Sequence, residues 1–271
     1  MVRAAIITEE DKIWSLYVWE RTIPLLKKNR VEIVGLWNCP TRFSTLKPNK
    51  VCRWYLKTFG IFTFIKLASF AAFAKATRLY GSVFSNRPRN FRILCNQEKI
   101  RHFFCDTPND EVFINWIKEN DIDIVVIMVG HILKEKVISM PRIGLINKHA
   151  ALLPANKGIF PYFWAVIKNV CQGISFHEVV REIDGGKILI QEIVPIQYTS
   201  SMVKFYLHVF KKYPDMLLVA LDNIVKGKFV DPLMNLKPSY HGLPSKSDYA
   251  IFTRKGGKII TIADICRAFR L

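Results

Sequence analysis

The sequence predicts an α/β protein with a mostly parallel sheet and a small C-terminal extension. Two observations carry this. Short apolar runs alternate with stretches of helical periodicity through the first half of the chain, the order that crossover helices between parallel strands impose. Ile122 to Val129 reads Ile-Asp-Ile-Val-Val-Ile-Met-Val, the near-continuous apolar run of a strand covered on both faces. Composition agrees: 50% of the 271 residues are hydrophobic, which excludes wholesale disorder, and 13 Gly with 13 Pro exclude a collagen-like or low-complexity chain.

The elements follow in order. Ala4 to Thr8 is the first strand. Ile13 to Lys28 places Trp14, Tyr17, Val18 and Leu25 so that a helix buries one face, with Pro24 expected to kink or end it. Val31 to Trp37 is a second strand, closed by the turn signal Asn38-Cys39-Pro40. Phe91 to Cys95 reads as a short strand. A helix is expected from about Asp110 to Glu119, with Asn109 as its N-cap after Pro108. The central strand is followed by Gly130-His131, a helix to Met140 and a strand from Ile143 to Lys148. Ile188 to Val194 is one more strand. Met202 to Val225 is a long helical stretch that Pro214 should interrupt. Near the end, Pro244 to Asp248 reads as a loop, Lys255-Gly256-Gly257-Lys258 as a turn, and Ala263 to Leu271 as a short basic helix.

One segment departs from the alternation. Phe59 to Ala74 is apolar apart from Lys66, with Trp54, Tyr55 and Lys57 before it and Lys75, Arg78 and Tyr80 after it. A spanning helix needs about 20 apolar residues. The segment therefore fits a helix buried in the core or a subunit interface, or an in-plane membrane helix with basic and aromatic flanks. The chain carries 40 Lys and Arg against 22 Asp and Glu, a formal charge of +18. Such an excess favours an anionic partner: nucleic acid, an acidic membrane surface or a phosphorylated substrate. The six cysteines form no CxxC pair and no Cys/His cluster at zinc-ligand spacing, so no metal is expected. With no leader pattern at the N-terminus, a cytoplasmic protein with reduced thiols is expected.

The chemistry concentrates between Ile143 and Glu192. In Asn147-Lys148-His149 the first and third side chains share one face of a strand end. Open α/β sheets bind ligands at that edge. An amide donor beside an imidazole suits acyl transfer, where an oxyanion develops and a nucleophile loses a proton. Taken alone, the tripeptide reads first as a capping Asn and a satisfied polar His, and only second as a site. Asp184 precedes Gly185-Gly186, a turn that lets the backbone come close and fixes one carboxylate.

The stretch as a whole resembles the catalytic core of the folate-dependent formyltransferases. The residues are Asn147-Lys148-His149, Leu152-Leu153-Pro154, Gly158, Pro161, Ser175-Phe176-His177 and Asp184-Gly185-Gly186 followed by Gln191. The resemblance covers about Ile122 to Pro195 and implies a Rossmann-like sheet. It divides the chain into a catalytic domain over 1–195 and a helical C-terminal extension over 196–271. It implies a catalytic triad of Asn147, His149 and Asp184, with 10-formyltetrahydrofolate as formyl donor. The pteridine is expected at Met128-Val129-Gly130-His131-Ile132-Leu133, and Ser175, His177 and Lys157 are expected in substrate-binding or supporting roles. Ala151 stands where the family usually has serine, and Ser175 where it has threonine.

The acceptor this implies is the amino group of a nucleotide-linked sugar. Glycinamide-ribotide enzymes of the family carry a Gly-rich phosphate loop after the first strand, whereas this chain has Thr8-Glu9-Glu10-Asp11, whose acids would repel phosphate. A methionyl-tRNA formyltransferase is the alternative, supported by the charge, and a non-catalytic folate- or membrane-binding relative is another. Membrane contact through 59–74 is an expected accessory partner.

Overall fold

A computed structural model describes residues 1–11, 13–43 and 46–268, the side chain of Tyr198 excepted. Residues 269–271 of the expected C-terminal helix lie outside the described residues. β1 (Val2–Glu9) leads through α1 (Trp14–Lys28) to β2 (Val31–Cys39). The long α2 (Pro48–Phe84) and short α3 (Phe91–Gln97) precede β3 (Arg101–Phe104), α4 (Glu111–Glu119) and β4 (Ile124–Met128). The one-turn α5 (Glu135–Ile138), β5 (Gly144–His149), β6 (Lys157–Gly158), α6 (Pro161–Lys168), β7 (Gly173–Glu178) and β8 (Ile188–Ile193) follow. Last come α7 (Met202–Val225), β9 (Tyr240–His241), α8 (Lys246–Arg254) and α9 (Ile262–Arg267).

The seven-stranded sheet has the order β3-β2-β1-β4-β5-β7-β8, and β6 pairs with β9 in a separate ribbon. β1 to β5 are mutually parallel, while β7 runs antiparallel to β5 and β8 antiparallel to β7. From β1 the chain winds outward to β3 and then returns to β4. The ends of β1 and β4 therefore flank a topological switch point, where α/β sheets open a crevice for ligands.

Alternation along the strands divides the core. Ala4, Ile6, Ile124, Val126 and Ile146 face α1 and α7, meeting Leu16, Trp19, Ile23, Phe205, Val209 and Leu217. Ala5, Ile7, Val125, Ile127 and Leu145 face α4 and meet Phe113, Ile114 and Ile117. Trp19 meets Tyr213 edge-on at 5.6 Å. α7, which lies in the segment expected as the extension, thus packs directly on the sheet.

Four local expectations are corrected. Residues 246–248 of the loop expected over Pro244 to Asp248 form the first turn of α8, because the Ser245 and Asp248 side chains cap it reciprocally. Phe91–Cys95 is helical, because the Asn90 side chain accepts from the Ile93 amide at 2.9 Å and nucleates a turn. Pro24 and Pro214 both lie inside continuous helices, where burial of residues on either side of each outweighs one missing backbone bond. The N-cap of α4 is Asp110 rather than Asn109. Asn109 instead ties a loop: its amide donates to the Ile132 carbonyl at 3.0 Å and accepts from the Lys134 amide at 2.7 Å.

The apolar 59–74 segment belongs to a 37-residue helix in which Gly60 breaks the helical backbone with φ 79°. Of that length only Thr58, Phe59, Phe70, Ala74 and Arg78 are buried, so it is not a core helix. One side is fastened to the domain. Arg78 pairs with Glu20 of α1 at 2.8 Å, Thr63 bonds Tyr249 of α8 at 3.1 Å, and Phe70 stacks on Trp14 at 5.3 Å. The other side leaves Ile61, Phe62, Ile65, Tyr80, Val83 and Phe84 exposed.

Candidate active site

The site is assembled at the C-terminal end of β5. In the antiparallel register Asn147 stands opposite His177 and His149 opposite Ser175, so all four side chains share one face. The turn after β7 brings Asp184 to them in a left-handed backbone conformation, φ 48°. Gly186 makes that turn possible, since a Cβ there would lie 2.0 Å from the Glu178 carbonyl oxygen. The Gly158 amide donates to Asp184 Oδ2 at 2.8 Å.

Asp184 lies between two imidazoles, with Oδ2 3.5 Å from His149 Nδ1 and Oδ1 3.5 Å from His177 Nε2. His149 Nε2 donates to the Asn156 carbonyl at 2.7 Å, and His177 Nδ1 donates to the Glu178 carbonyl at 2.6 Å. A carbonyl oxygen only accepts, so these two nitrogens carry protons, which leaves Nδ1 of a neutral His149 as the lone-pair nitrogen beside Asp184. Burial holds the His149 pKa below its ordinary value, against the opposing pull of Asp184 and the Asn156 carbonyl. Burial also opposes charge on Asp184. There the two imidazoles and the Gly158 amide prevail and hold the carboxyl well below the usual carboxylate range. The arrangement is an ionised acid beside a neutral base that can take a proton at Nδ1.

The remaining predicted residues divide. Asn147 is half-buried and its amide makes no hydrogen bond among the described residues, so it is open to a ligand. Ser175 faces inward and organises the loop after β5: Oγ donates to the Ala151 carbonyl at 2.6 Å and accepts from the Leu153 amide at 3.1 Å and from Gln191 Nε2 at 2.8 Å. Lys157 turns to Glu182, with Nζ 2.7 Å from Oε1. In the loop after β4, Met128, Val129 and Leu133 are half-buried, Gly130 and Ile132 exposed, and His131 buried with Nε2 unpartnered among the described residues.

Several site residues carried no recognised sequence signal. Glu9 Oε1 accepts from the amides of Gly130 at 2.8 Å and Arg42 at 3.0 Å, clamping the loops after β4 and β2. Asp11 accepts from the amides of Ile13 and Trp14 and caps α1. Two of the acids read as repelling phosphate thus hold the strand-end loops together. Burial raises the pKa of both. Beside His149 a cavity of about 460 Å³ opens between α1, α2 and α7, lined by Trp14, Tyr55, Phe70, Tyr206 and Phe210, with Lys148 at its wall.

Comparison with known proteins bears on this geometry. The sequence profile of the formyl transferase family matches residues 84–221. A methionyl-tRNA formyltransferase of Clostridium acetobutylicum is 31% identical over 153 residues, which is 56% of this chain and 47% of the relative. The chain thus aligns with about half the length of that relative. A sugar N-formyltransferase from a Shewanella species has the same fold, with TM-score 0.55 and 18% identity over 94% of this chain and 88% of that one. A glycinamide ribonucleotide transformylase from Symbiobacterium toebii has TM-score 0.58 and 13% identity over 86% of this chain and 92% of that one. The profile covers β3 through most of α7 and with them the whole Asn147, His149 and Asp184 cluster, and the chain belongs to the formyl transferase family.

Proposed function

We propose that this chain transfers the formyl group of 10-formyltetrahydrofolate to a primary amine, and that the amine is carried by a nucleotide-linked sugar. The convergence of Asn147, His149 and Asp184 at one strand end carries the proposal. The loop after β4 suits the donor. Val129 and Leu133 present half-buried apolar surface on the face that Asn147 shares, and His131 Nε2 is a buried polar atom without a partner among the described residues. A flat heteroaromatic ring with a polar edge satisfies both. When bound, the donor supplies the formyl carbon.

The protein's part follows from its own atoms. The free Asn147 amide is a hydrogen-bond donor for an oxygen that gains negative charge. His149, neutral because it is buried, receives the proton of the attacking amine at Nδ1. The imidazolium so formed lies against Asp184 Oδ2, with Nε2 still on the Asn156 carbonyl. His177, on the other oxygen of Asp184, keeps that carboxylate oriented.

For the acceptor, the +18 charge and the cation-walled aromatic cavity beside His149 favour an anionic substrate with a ring system. The charge, and the methionyl-tRNA formyltransferase name of the Clostridium relative, favour charged initiator tRNA as the second reading. Formyl transfer from 10-formyltetrahydrofolate is measured on amino-sugar nucleotides, with charged initiator tRNA and acceptor-free controls. Turnover with a sugar nucleotide, lost in His149→Ala, is the expected result. Activity on tRNA alone moves the function to translation. Silence on every acceptor with intact folate binding makes the chain a non-catalytic relative.

We further propose a partner for the outer side of α2, a bilayer rich in anionic lipid. The helix exposes Lys50, Arg53, Lys57 and Lys75 and holds no Asp or Glu, with exposed Phe62, Ile65, Val83 and Phe84 among them. Like charge opposes pairing of this face with a second copy. Its attachment to α1 and α8 along one side holds it parallel to a surface rather than through it. The full chain should sediment with phosphatidylglycerol vesicles and not with phosphatidylcholine vesicles, and Phe62→Ser with Val83→Ser should abolish the difference. Equal behaviour toward both vesicles overturns this.

A further inference from the structure

Lys148 lies between Asn147 and His149 on β5 and therefore leaves the opposite face of the sheet, into the cavity between α1, α2 and α7. Its ammonium has no hydrogen-bond acceptor among the described residues. Nζ lies 5.0 Å from the centre of the Phe210 ring and 6.0 Å from that of Tyr206, an aromatic setting that compensates a half-buried cation only in part. Asp184 acts on it electrostatically, yet both carboxylate oxygens of Asp184 are already engaged by Gly158 and the two imidazoles. Burial accordingly pushes the Lys148 pKa down to about 8.

A long apolar side chain would fill this position at no electrostatic cost. A half-buried charge with free donors, aimed into a cavity of about 460 Å³, is resolved by an anion arriving with the ligand. The rest of the wall narrows the class. Trp14, Phe70, Tyr206 and Phe210 offer ring surface, and the described wall brings no acidic side chain. Arg42 stands at the exposed rim as a second cation. His149 borders the same cavity, so a molecule held at Lys148 lies beside that imidazole at the strand end.

We propose that the cavity seats the anionic group of the acceptor against Lys148, with the acceptor's ring or alkyl body against Trp14, Phe70 and Phe210. Lys148 is thereby a specificity-determining residue: it selects amines that carry a phosphate or carboxylate and leaves proton transfer to the opposite face of the strand. The proposal rests on the formyl-transfer reading for its biological meaning but not for its test.

The full chain is titrated with phenyl phosphate, benzoate and benzyl alcohol, and binding is followed by calorimetry and tryptophan fluorescence. At least one anion should bind about tenfold or more tightly than the alcohol, a charge-assisted difference, and the stronger of the two identifies phosphate or carboxylate as the group selected. Lys148→Met, which keeps the stem volume, should remove that preference while leaving alcohol binding within about threefold. Lys148→Arg should retain it. No preference for either anion in the native chain overturns the proposal, and so does an unchanged preference in a folded Lys148→Met. His149→Asn separates the two claims, because it should abolish formyl transfer and leave anion binding intact. Anion binding at Lys148 in a chain without transferase activity would remove the proposed function and keep this site.

Discussion

The two faces of the last turn of β5 solve different problems with adjacent residues. On one face Asn147 and His149 meet His177 and Asp184, and the polar atoms of the two imidazoles and the carboxylate each have a protein partner or face one, the Asn147 amide alone being left open among the described residues. On the other, Lys148 enters an aromatic cavity alone. The wired face keeps protons in defined places before any ligand arrives. The unwired face leaves an electrostatic vacancy that a ligand completes. A period of two residues suffices to separate reaction from selection, because it sends neighbouring side chains to opposite sides of the sheet.

Substitutions should separate the two faces. The largest effect falls on the wired face. His149→Ala should lower turnover on the order of 100-fold or more, since it removes the group that takes the amine proton, with acceptor affinity little changed. A pre-steady-state assay that finds normal turnover breaks the division. Next is the loop support beneath it. Ser175→Ala leaves the buried Leu153 amide and Gln191 Nε2 short of an acceptor, and urea unfolding should register a loss of about 2 kcal/mol. Lys148→Met should raise the acceptor KM about tenfold and hold kcat within about threefold; a fall in kcat alone would place Lys148 with the proton-handling group.

The smallest expected effect is on pH dependence, and for the histidines, whose ordinary pKa of 6.5 lies between pH 5.5 and 7.5, burial fixes its sign. His102, His131, His149, His208 and His241 all have pKa values below 6.5 because burial disfavours their charged forms. Below pH 6.5 the unfolded chain binds protons that the folded chain does not, so stability should fall as pH drops from 6.5 toward the folded values. The urea midpoint should therefore be lower at pH 5.5 than at 7.5. The acid limb of kcat/KM should likewise lie below pH 6.5. Any residual activity in Asp184→Asn should show that limb at still lower pH, because the carboxylate that favours the imidazolium is gone.

Much of this was legible in the sequence, for reasons that also mark where legibility ends. Ile124–Met128 was evident because a doubly covered strand has no polar face to confuse it. The Asn147, His149 and Asp184 grouping was recognisable as a compound pattern, although only the register with β7 brings His177 beside it. Lys148 was invisible: between two motif residues a lysine reads as a solvated strand-end charge until α7 is packed over it. Glu9 and Asp11 were read by charge alone, and their effect depends on which loop amides the fold delivers to them. Phe91–Cys95 looked like a strand because its apolar run is too short for a period, and a single Asn90 cap decided it. Pro214 was given a strength that burial against the sheet overrides.

The double role of α2 has a thermodynamic consequence. Its inner side supplies Tyr55, Leu67 and Phe70 to the cavity wall, while its outer side carries Phe62 and Ile65 into solvent. If, as proposed, a bilayer engages one side and an acceptor leans on the other, both act on the same element, whose two arms meet at the non-helical Gly60. Any bias one of them places on that element must appear, by the same factor, in the affinity of the other. Vesicles that tighten acceptor binding would thus be held more firmly by the loaded protein than by the empty one, and on the proposed contact acceptor supply would itself set how long the chain resides at a bilayer.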